Sequence, residues 1–204
     1  MPSSVTRIAV LVSGGGSNFQ SLVEASRRGE IPGAEIAVVV SNKPAAGALA
    51  RAKALGIEAL TVEPKAFAGS SAYYGALLTE LRSRGVGLVC LAGYTHKIEP
   101  NFIEAFKGRI LNIHPALLPK YGGKGMWGHH VHEAVLAAGE NESGCTVHLV
   151  DEEFDHGPPL MQARVPIVPG DTPSTLAARV LEQEHKIYPE AVRGFVEFLN
   201  KERA

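Results

Sequence analysis

The chain has 204 residues, of which 45% are hydrophobic, and a formal net charge of −1. Length and composition predict one domain with an extensive core, and the mixed charges, without a basic stripe, argue against a nucleic-acid partner. No run approaches the ~20 apolar residues of a membrane-spanning helix, and residues 1–7 lack the pattern of a signal peptide. We therefore expect a cytoplasmic protein.

Strands and helices are predicted to alternate through the first 113 residues. Short apolar runs predict strands at residues 7–12, 36–40, 57–62, 86–91 and 109–113. Helical spacing of apolar residues predicts helices at 17–28, 45–55, 71–84 and 100–106. This order indicates an α/β fold with a Rossmann-like, mostly parallel sheet and helices on both faces.

The last third of the chain has a different pattern. Residues 144–150 and 160–168 are predicted to be antiparallel strands that extend the sheet edge. A helix is predicted from near Gly128, and another over 172–198 with Pro189 as a candidate interruption. The cysteines, Cys90 and Cys145, are expected to be buried free thiols, with a disulfide between neighbouring strands as the alternative.

One predicted strand carries two polar side chains to its carboxyl end. Asn112 and His114 are two positions apart and should leave the strand on the same face, and Pro115 then turns the chain. An amide can stabilise a developing oxyanion while an imidazole moves a proton, and a carboxylate such as Asp155 could orient the imidazole. These residues are candidates for catalysis, although a histidine at a strand end can also be purely structural.

A glycine-rich loop, residues 13–18, joins the first predicted strand to the first helix. The amides of Gly16, Ser17 and Asn18 should point outward at the helix N-terminus, where a phosphate monoester would be stabilised. The loop matches neither a Walker loop nor the dinucleotide fingerprint, since Phe19 stands at the third glycine position. The alternative interpretation is a tight turn with Ser17 as the N-cap.

Seven motifs occur in order along nearly the whole chain. They are Ser13-Gly-Gly-Gly-Ser-Asn-Phe-Gln20, Val40-Ser-Asn-Lys43, Leu91-Ala-Gly-Tyr94, Asn112-Ile-His-Pro-Ala-Leu-Leu-Pro119, Gly144-Cys-Thr-Val-His148, Asp155-His-Gly-Pro158 and Gln183-Glu-His-Lys-Ile-Tyr-Pro189. Together they resemble the formyltransferase family that uses 10-formyltetrahydrofolate, and most of all its phosphoribosylglycinamide branch. The resemblance implies one formyltransferase domain over 1–204, with ribonucleotide phosphate bound in 1–110 and catalysis and folate in 111–204.

The resemblance also implies a reaction and its parts. The amine of glycinamide ribonucleotide would attack the formyl carbon of the co-substrate 10-formyltetrahydrofolate, without a metal. Asn112 would stabilise the oxyanion, and His114 would either protonate the departing folate nitrogen or help to stabilise the oxyanion. Asp155 would raise the pKa of His114 and help to hold a proton-carrying water, which Thr146 would help to position.

Binding residues are implied in the same way. Gly16, Ser17 and Asn18 would hold the phosphate, and Glu184 the ribose hydroxyls; from spacing alone, Glu184 could equally be a solvated helix carboxylate. The implied folate-binding residues are Thr95, His96, Lys97, Ile98, Asn112 and Val150. We expect no nucleic-acid or membrane partner, and either a monomer or a homodimer.

Four positions depart from the family pattern. Ala116 replaces a serine, His96 and Ser70 stand where arginines are common, and residues 121–132 form a longer stretch. Within that stretch, His129, His130 and His132 allow a metal site as an alternative to a substrate-covering loop. His148 and His185 could each be structural.

Two other functions stay open at this point. The chain could be a related enzyme, such as a hydrolase of formyltetrahydrofolate or a transferase acting on an amino sugar. It could also be a noncatalytic nucleotide- or folate-binding protein, although the joint presence of Asn112, His114 and Asp155 argues against this.

Overall fold

Strands and helices alternate as predicted in the structure, a computed structural model that describes residues 5–202. The strands are β1 (Thr6–Val12), β2 (Ala34–Ser41), β3 (Glu58–Thr61), β4 (Val86–Leu91), β5 (Ile110–His114), β6 (Glu142–Leu149) and β7 (Pro159–Pro166). The α-helices are α1 (Ser17–Arg27), α2 (Gly47–Ala54), α3 (Ser70–Ser83), α4 (Pro100–Ala105), α5 (His129–Ala137) and α6 (Pro173–Glu202). A short 3-10 helix, Pro64–Ala66, precedes α3.

The seven strands form one sheet in the order β3-β2-β1-β4-β5-β6-β7. Strands β1 to β5 are parallel, whereas β6 and β7 pair antiparallel at the edge. The predicted fold class is confirmed. The strand order reverses at β1, so the carboxyl ends of β1 and β4 flank the crevice where such sheets bind ligands.

Two apolar layers cover the sheet, one on each face. Helices α1, α2, α5 and α6 pack on one face, where Phe19, Leu22 and Val192 are buried. Helices α3 and α4 pack on the other face through Tyr74 and Phe102. The alternation of side chains along β1 supplies both layers, because Val10 faces the first and Leu11 the second.

Helix α6 does not break at Pro189. It continues through this proline to Glu202, so the predicted interruption is wrong. A proline within a helix removes one backbone hydrogen bond. Here the residues around Pro189 are buried on the same helix face, among them Tyr188 and Val192, and this packing holds the two parts of α6 in line.

Cys90 and Cys145 are both free and buried, as predicted. Burial raises the pKa of each thiol to about 12, which keeps both protonated at neutral pH. In the part of the chain that the structure describes, no helix combines the length and apolar character needed to cross a membrane.

Candidate active site

Strand β5 carries Asn112 and His114 to the carboxyl end of the sheet on the same face. Its neighbour β6 runs antiparallel, so Asn112 lies opposite His148 and His114 opposite Thr146. The Asn112 amide nitrogen lies 3.0 Å from Nε2 of His148. Nδ1 of His148 contacts the carbonyl of Leu149 at 2.8 Å and therefore carries the proton, which leaves Nε2 to accept from Asn112.

Asp155 lies between these two strand residues. Its Oδ1 accepts a hydrogen bond from the Asn112 amide at 3.4 Å, and its Oδ2 lies 3.5 Å from Nδ1 of His114. The amide of Gly123 donates to Oδ2 at 3.0 Å. Asp155 therefore contacts both of the other residues predicted to be catalytic.

The imidazole of His114 is held from both sides. Its Nε2 lies 2.8 Å from the carbonyl oxygen of Tyr121, which can only accept, so Nε2 carries a proton. Burial lowers the pKa of His114 below its ordinary value, although Asp155 and the Tyr121 carbonyl act in the opposite direction. The upward effect of Asp155 on this pKa is as predicted, but removal of the imidazole from water outweighs it, so the net pKa of His114 is lowered.

Asp155 is ionised at neutral pH. Burial favours a higher pKa, but the imidazoles of His148 and His114, which favour the carboxylate when they are protonated, and the amide of Gly123 together outweigh it and hold the pKa of Asp155 below its ordinary value. The resulting site at neutral pH is a carboxylate beside a neutral imidazole, whose unprotonated Nδ1 faces Oδ2 of Asp155 at 3.5 Å. Such a pair can accept one proton and pass it on.

Thr146 is fully engaged with the chain segment that follows β5. Its hydroxyl donates to the carbonyl of Ala116 at 2.7 Å and accepts from the amide of Leu118 at 3.1 Å and from Gln162 at 2.9 Å. Through these contacts Thr146 holds the turn that follows His114. Its water-positioning role stays a prediction.

The glycine loop follows β1 at the sheet crevice. Gly16, rather than Ser17, is the N-cap of α1, and it adopts a left-handed backbone with φ of 78°. A Cβ at Gly16 would lie 2.5 Å from Cβ of Ala48, so both the conformation and the space require glycine. The side chain of Ser13 ties the loop to the segment after β4 by accepting from the amide of Thr95 at 2.9 Å.

Asn18 and Glu184 meet although 166 positions separate them. The side-chain amide nitrogen of Asn18 donates to Oε2 of Glu184 at 2.5 Å. Glu184 is only 8% exposed, so it is not a solvated helix carboxylate, and burial raises its pKa while Asn18 opposes the rise. The buried Oδ1 of Asn18 has no partner within residues 5–202 and can accept a hydrogen bond from a ligand.

A pocket lies beside Asn112 and Asp155. It is lined by five of the residues predicted to bind folate, namely His96, Lys97, Ile98, Asn112 and Val150. The His96 ring packs edge-on against Tyr73 and stacks on Tyr74, with centroid distances of 5.3 and 5.9 Å. Its Nε2 is buried and has no partner in the described part of the chain, and Lys97 lies over the Phe154 ring at 5.9 Å.

The two regions are joined by a cleft at the catalytic residues. A cavity of about 290 Å³ contains Asn112, His114, Asp155 and Thr95, and it shares Asn112 and Asp155 with the folate-side pocket. A further cavity of about 450 Å³ contains Asn18 and Glu184. These two cavities share Gly93, Ile113, Pro115 and Gly128. The three pockets therefore adjoin one another, with the three predicted catalytic residues lining the central one. We call this row of adjoining pockets the cleft.

The histidines of the long stretch lie around the start of α5. His129 and His130 are exposed and contact the carboxylate of Glu133 at 3.1 and 3.4 Å. His132 is buried in the wall of the cleft, and burial lowers its pKa to about 4. Within residues 5–202 no three histidine, cysteine or carboxylate side chains are grouped as metal ligands.

Two backbone groups of the site were not predicted. The Tyr121 carbonyl and the Gly123 amide contact His114 and Asp155 through the backbone, which side-chain patterns do not report. The exposed aromatic rings of Trp127 and Phe154 line the cleft beside the catalytic residues. Trp127 was not singled out either, although a large aromatic side chain in a glycine-rich loop was a signal that could have identified it.

Known proteins resemble this chain over most of its length. The family model described as "Formyl transferase" matches residues 6–192. Phosphoribosylglycinamide formyltransferase of Haemophilus influenzae is 44% identical over 94% of this chain and 87% of the relative. The trifunctional purine biosynthetic protein adenosine-3 of Drosophila melanogaster is 43% identical over 93% of this chain, which spans only 14% of that longer protein. Glycinamide ribonucleotide transformylase 1 from Symbiobacterium toebii superposes with a TM-score of 0.90 at 43% identity, covering 95% of this chain and 89% of that structure.

Proposed function

The chain belongs to the formyl transferase family, and from this premise we propose that it transfers a formyl group from 10-formyltetrahydrofolate to the amine of glycinamide ribonucleotide. The relatives' names indicate that the reaction serves purine biosynthesis. The observation that carries the proposal is the row of adjoining pockets in which Asn112, His114 and Asp155 line the central pocket, between two distinct candidate binding regions. A two-substrate transferase needs such an arrangement, because both substrates must reach the same reacting atom.

The reaction begins with attack of the amine lone pair on the formyl carbon. A carbon–nitrogen bond forms, and the formyl oxygen becomes an oxyanion. The Asn112 amide is the donor proposed for this oxyanion, through the proton that makes the long 3.4 Å contact with Asp155 in the absence of substrate. One preorganised donor contributes ~3–4 kcal/mol in comparable sites. Collapse of the tetrahedral intermediate re-forms the carbonyl and breaks the bond between carbon and the folate nitrogen.

The proton balance requires one transfer. The attacking amine loses a proton, and the departing folate nitrogen gains one. The His114–Asp155 pair is proposed to carry it, since Nδ1 of neutral His114 can accept a proton and the adjacent carboxylate stabilises the resulting imidazolium. A water held by Asp155 would relay the proton over any gap that the side chains do not span.

The two substrates are assigned to opposite ends of the cleft. The glycine-loop amides of Gly16, Ser17 and Asn18 are proposed for the phosphate, and Glu184 for the ribose hydroxyls. Support comes from the buried, unpartnered Oδ1 of Asn18 and from its contact with Glu184. The amine substrate would then contact both parts of the single domain, 1–110 and 111–204, since Glu184 lies beyond residue 110. Folate would do so as well, through Thr95 in the first part and Asn112 in the second.

Folate is assigned to the pocket on the His96 side. The proposed contacts are Thr95, His96, Lys97, Ile98, Asn112 and Val150. Asn112 lies at the junction between this pocket and the rest of the cleft, so a formyl group on the folate would be within reach of its amide. A cytoplasmic location and a monomeric or homodimeric state complete the proposal.

A formyl-transfer assay tests this function. Purified protein is incubated with 10-formyltetrahydrofolate in the presence and absence of glycinamide ribonucleotide, and release of tetrahydrofolate is followed. Release that depends on the amine supports the transferase. Release at the same rate without the amine would identify a hydrolase, and no turnover despite binding of both ligands would refute the proposed reaction.

A further inference from the structure

Helix α2 contacts the glycine loop, residues 13–18, through two hydrogen bonds. The amide of Ala48 donates to the carbonyl of Gly14 at 3.1 Å. Three residues further along the helix, Nε of Arg51 donates to the carbonyl of Gly15 at 2.7 Å. Two successive loop carbonyls are therefore turned toward α2.

These two contacts fix the direction of the amides that follow. In a planar trans peptide the carbonyl of one residue and the amide of the next point in opposite directions. With the carbonyls of Gly14 and Gly15 turned toward α2, the amides of Gly15 and Gly16 point to the opposite side. Gly15 is exposed and Gly16 is half-buried, and the side of the loop away from α2 is the one on which an anion would meet both amides.

Arg51 is itself held in place. A second nitrogen of its guanidinium, Nη1, donates to the side-chain carbonyl of Gln20 on α1. The planar guanidinium thus bridges the glycine loop and α1, a geometry that a lysine ammonium on a flexible stem does not reproduce. Arg51 is exposed, so the core does not require it.

We propose that Arg51 is a positioning residue for phosphate recognition, which orients the Gly15–Gly16 peptide so that its amide faces the phosphate of the amine substrate. The inference rests on the proposed function and adds to it a residue outside the seven motifs. Arg51 acts through the peptide that it holds, so its contribution should appear in the affinity for the phosphate and not in the chemical step.

The test compares two substrates that differ only in the phosphate. The Michaelis constants for glycinamide ribonucleotide and for the dephosphorylated riboside are measured in wild type, Arg51→Ala, Arg51→Lys and Gln20→Ala. Lys53→Ala, an exposed cation on the same helix, is the matched control. Melting temperature and the Michaelis constant for 10-formyltetrahydrofolate report on general damage.

The expected result is a loss of discrimination. Arg51→Ala should reduce the preference for the phosphorylated substrate about tenfold, the scale of one hydrogen bond to a charged group, with kcat nearly unchanged. Gln20→Ala should reduce the preference for the phosphorylated substrate by a smaller factor. Arg51→Lys should retain only part of the wild-type preference, and Lys53→Ala should show the wild-type preference.

Three results would overturn the inference. An unchanged preference in Arg51→Ala would remove the positioning role and leave the proposed function intact. A full wild-type preference in Arg51→Lys would show that the positive charge at position 51, and not the orientation of the Gly15–Gly16 peptide, determines the affinity for the phosphate. A wild-type enzyme that does not prefer the phosphorylated substrate would refute both the inference and the phosphate assignment.

Discussion

Tyr121 and Asp155 contact opposite nitrogens of the same imidazole, that of His114. Within residues 5–202 they are also the two non-glycine residues with a positive φ, 58° for Tyr121 and 54° for Asp155. This conformation costs roughly 1–2 kcal/mol per residue and persists where the surrounding structure holds it. The strained positions thus coincide with the groups that orient the candidate catalytic base.

Loss of the Asn112 amide or of the Asp155 charge should affect the chemical step more than binding. Asn112→Ala removes the proposed oxyanion donor, and we expect kcat to fall about 10²–10³-fold. Asp155→Asn removes the carboxylate beside His114 and should lower kcat by at least about 100-fold. Steady-state kinetics with both substrates varied would measure this. Asn101→Ala, an exposed asparagine on α4, is the control, and variants that changed only the Michaelis constants would contradict the assigned roles.

A methyl group at Gly122 should change the geometry of the site while leaving the side chains of Asn112, His114 and Asp155 chemically unchanged. A Cβ there would lie 2.6 Å from Cδ2 of Leu118 and 3.1 Å from Cβ of Asp155. Gly122→Ala should therefore displace Asp155 from His114 and lower kcat about tenfold or more. Gly75→Ala is the matched control, since no atom lies within 4 Å of its added Cβ and a helical alanine should stabilise the protein by ~0.5–1 kcal/mol. Equal kcat in the two variants would rule out steric coupling through Gly122.

Acid should destabilise the protein through buried His132. This side chain is 3% exposed, and burial lowers its pKa from 6.5 to about 4. Between these values the unfolded chain binds a proton that the folded chain does not, so the free energy of unfolding rises with pH across this window. The contribution is complete above pH 6.5, is lost as pH falls toward 4, and amounts to about 3 kcal/mol.

Denaturant unfolding of His132→Gln at several pH values checks the sign. The variant should lose much of the slope between pH 4 and 6.5, while His130→Gln, at an exposed position on the same helix, should keep the wild-type slope. The pKa of His114 is lowered in the same direction, so some slope should persist in His132→Gln. A slope unaffected by this substitution would contradict the burial argument.

His96 offers a separate test of the folate-side pocket. His96→Phe keeps an aromatic ring beside Tyr73 and Tyr74 but removes the buried, unpartnered Nε2. The melting temperature should hold or rise, because an orphaned polar atom leaves the interior. If folate supplies the missing partner, the Michaelis constant for 10-formyltetrahydrofolate should increase about five- to tenfold. An unchanged constant would exclude Nε2 from folate binding.

The fold was predictable because the periodicity of apolar residues and the glycines at the ends of helices and strands indicated the same boundaries for most elements. Most of the parallel strands were apolar runs, and the polar residues Asn112 and His114 stood out at the carboxyl end of one of them. Since parallel strands share one carboxyl edge, candidate residues far apart in sequence could be placed together. Pro189 misled because a local helix-breaking tendency gave way to packing on both sides of it.

Other features depend on information that side-chain patterns lack. The Tyr121 carbonyl contacts His114 only because of how one turn folds. The pKa of His114 reflects a balance between burial and a nearby carboxylate, and burial depends on the whole fold. Thr146 was placed on the correct strand beside His114, yet its hydroxyl partners, Ala116, Leu118 and Gln162, become visible only in three dimensions.

The hydrogen bond between Asn18 and Glu184 has a consequence for biosynthesis of the chain. Its two ends are 166 positions apart, so a ribosome must translate most of the protein before they can meet. A nascent chain that has folded only its first five strands lacks Glu184 and one wall of the cleft. Competence to bind the amine substrate should therefore arise late, when α6 leaves the exit tunnel, and prematurely terminated chains should not sequester that substrate.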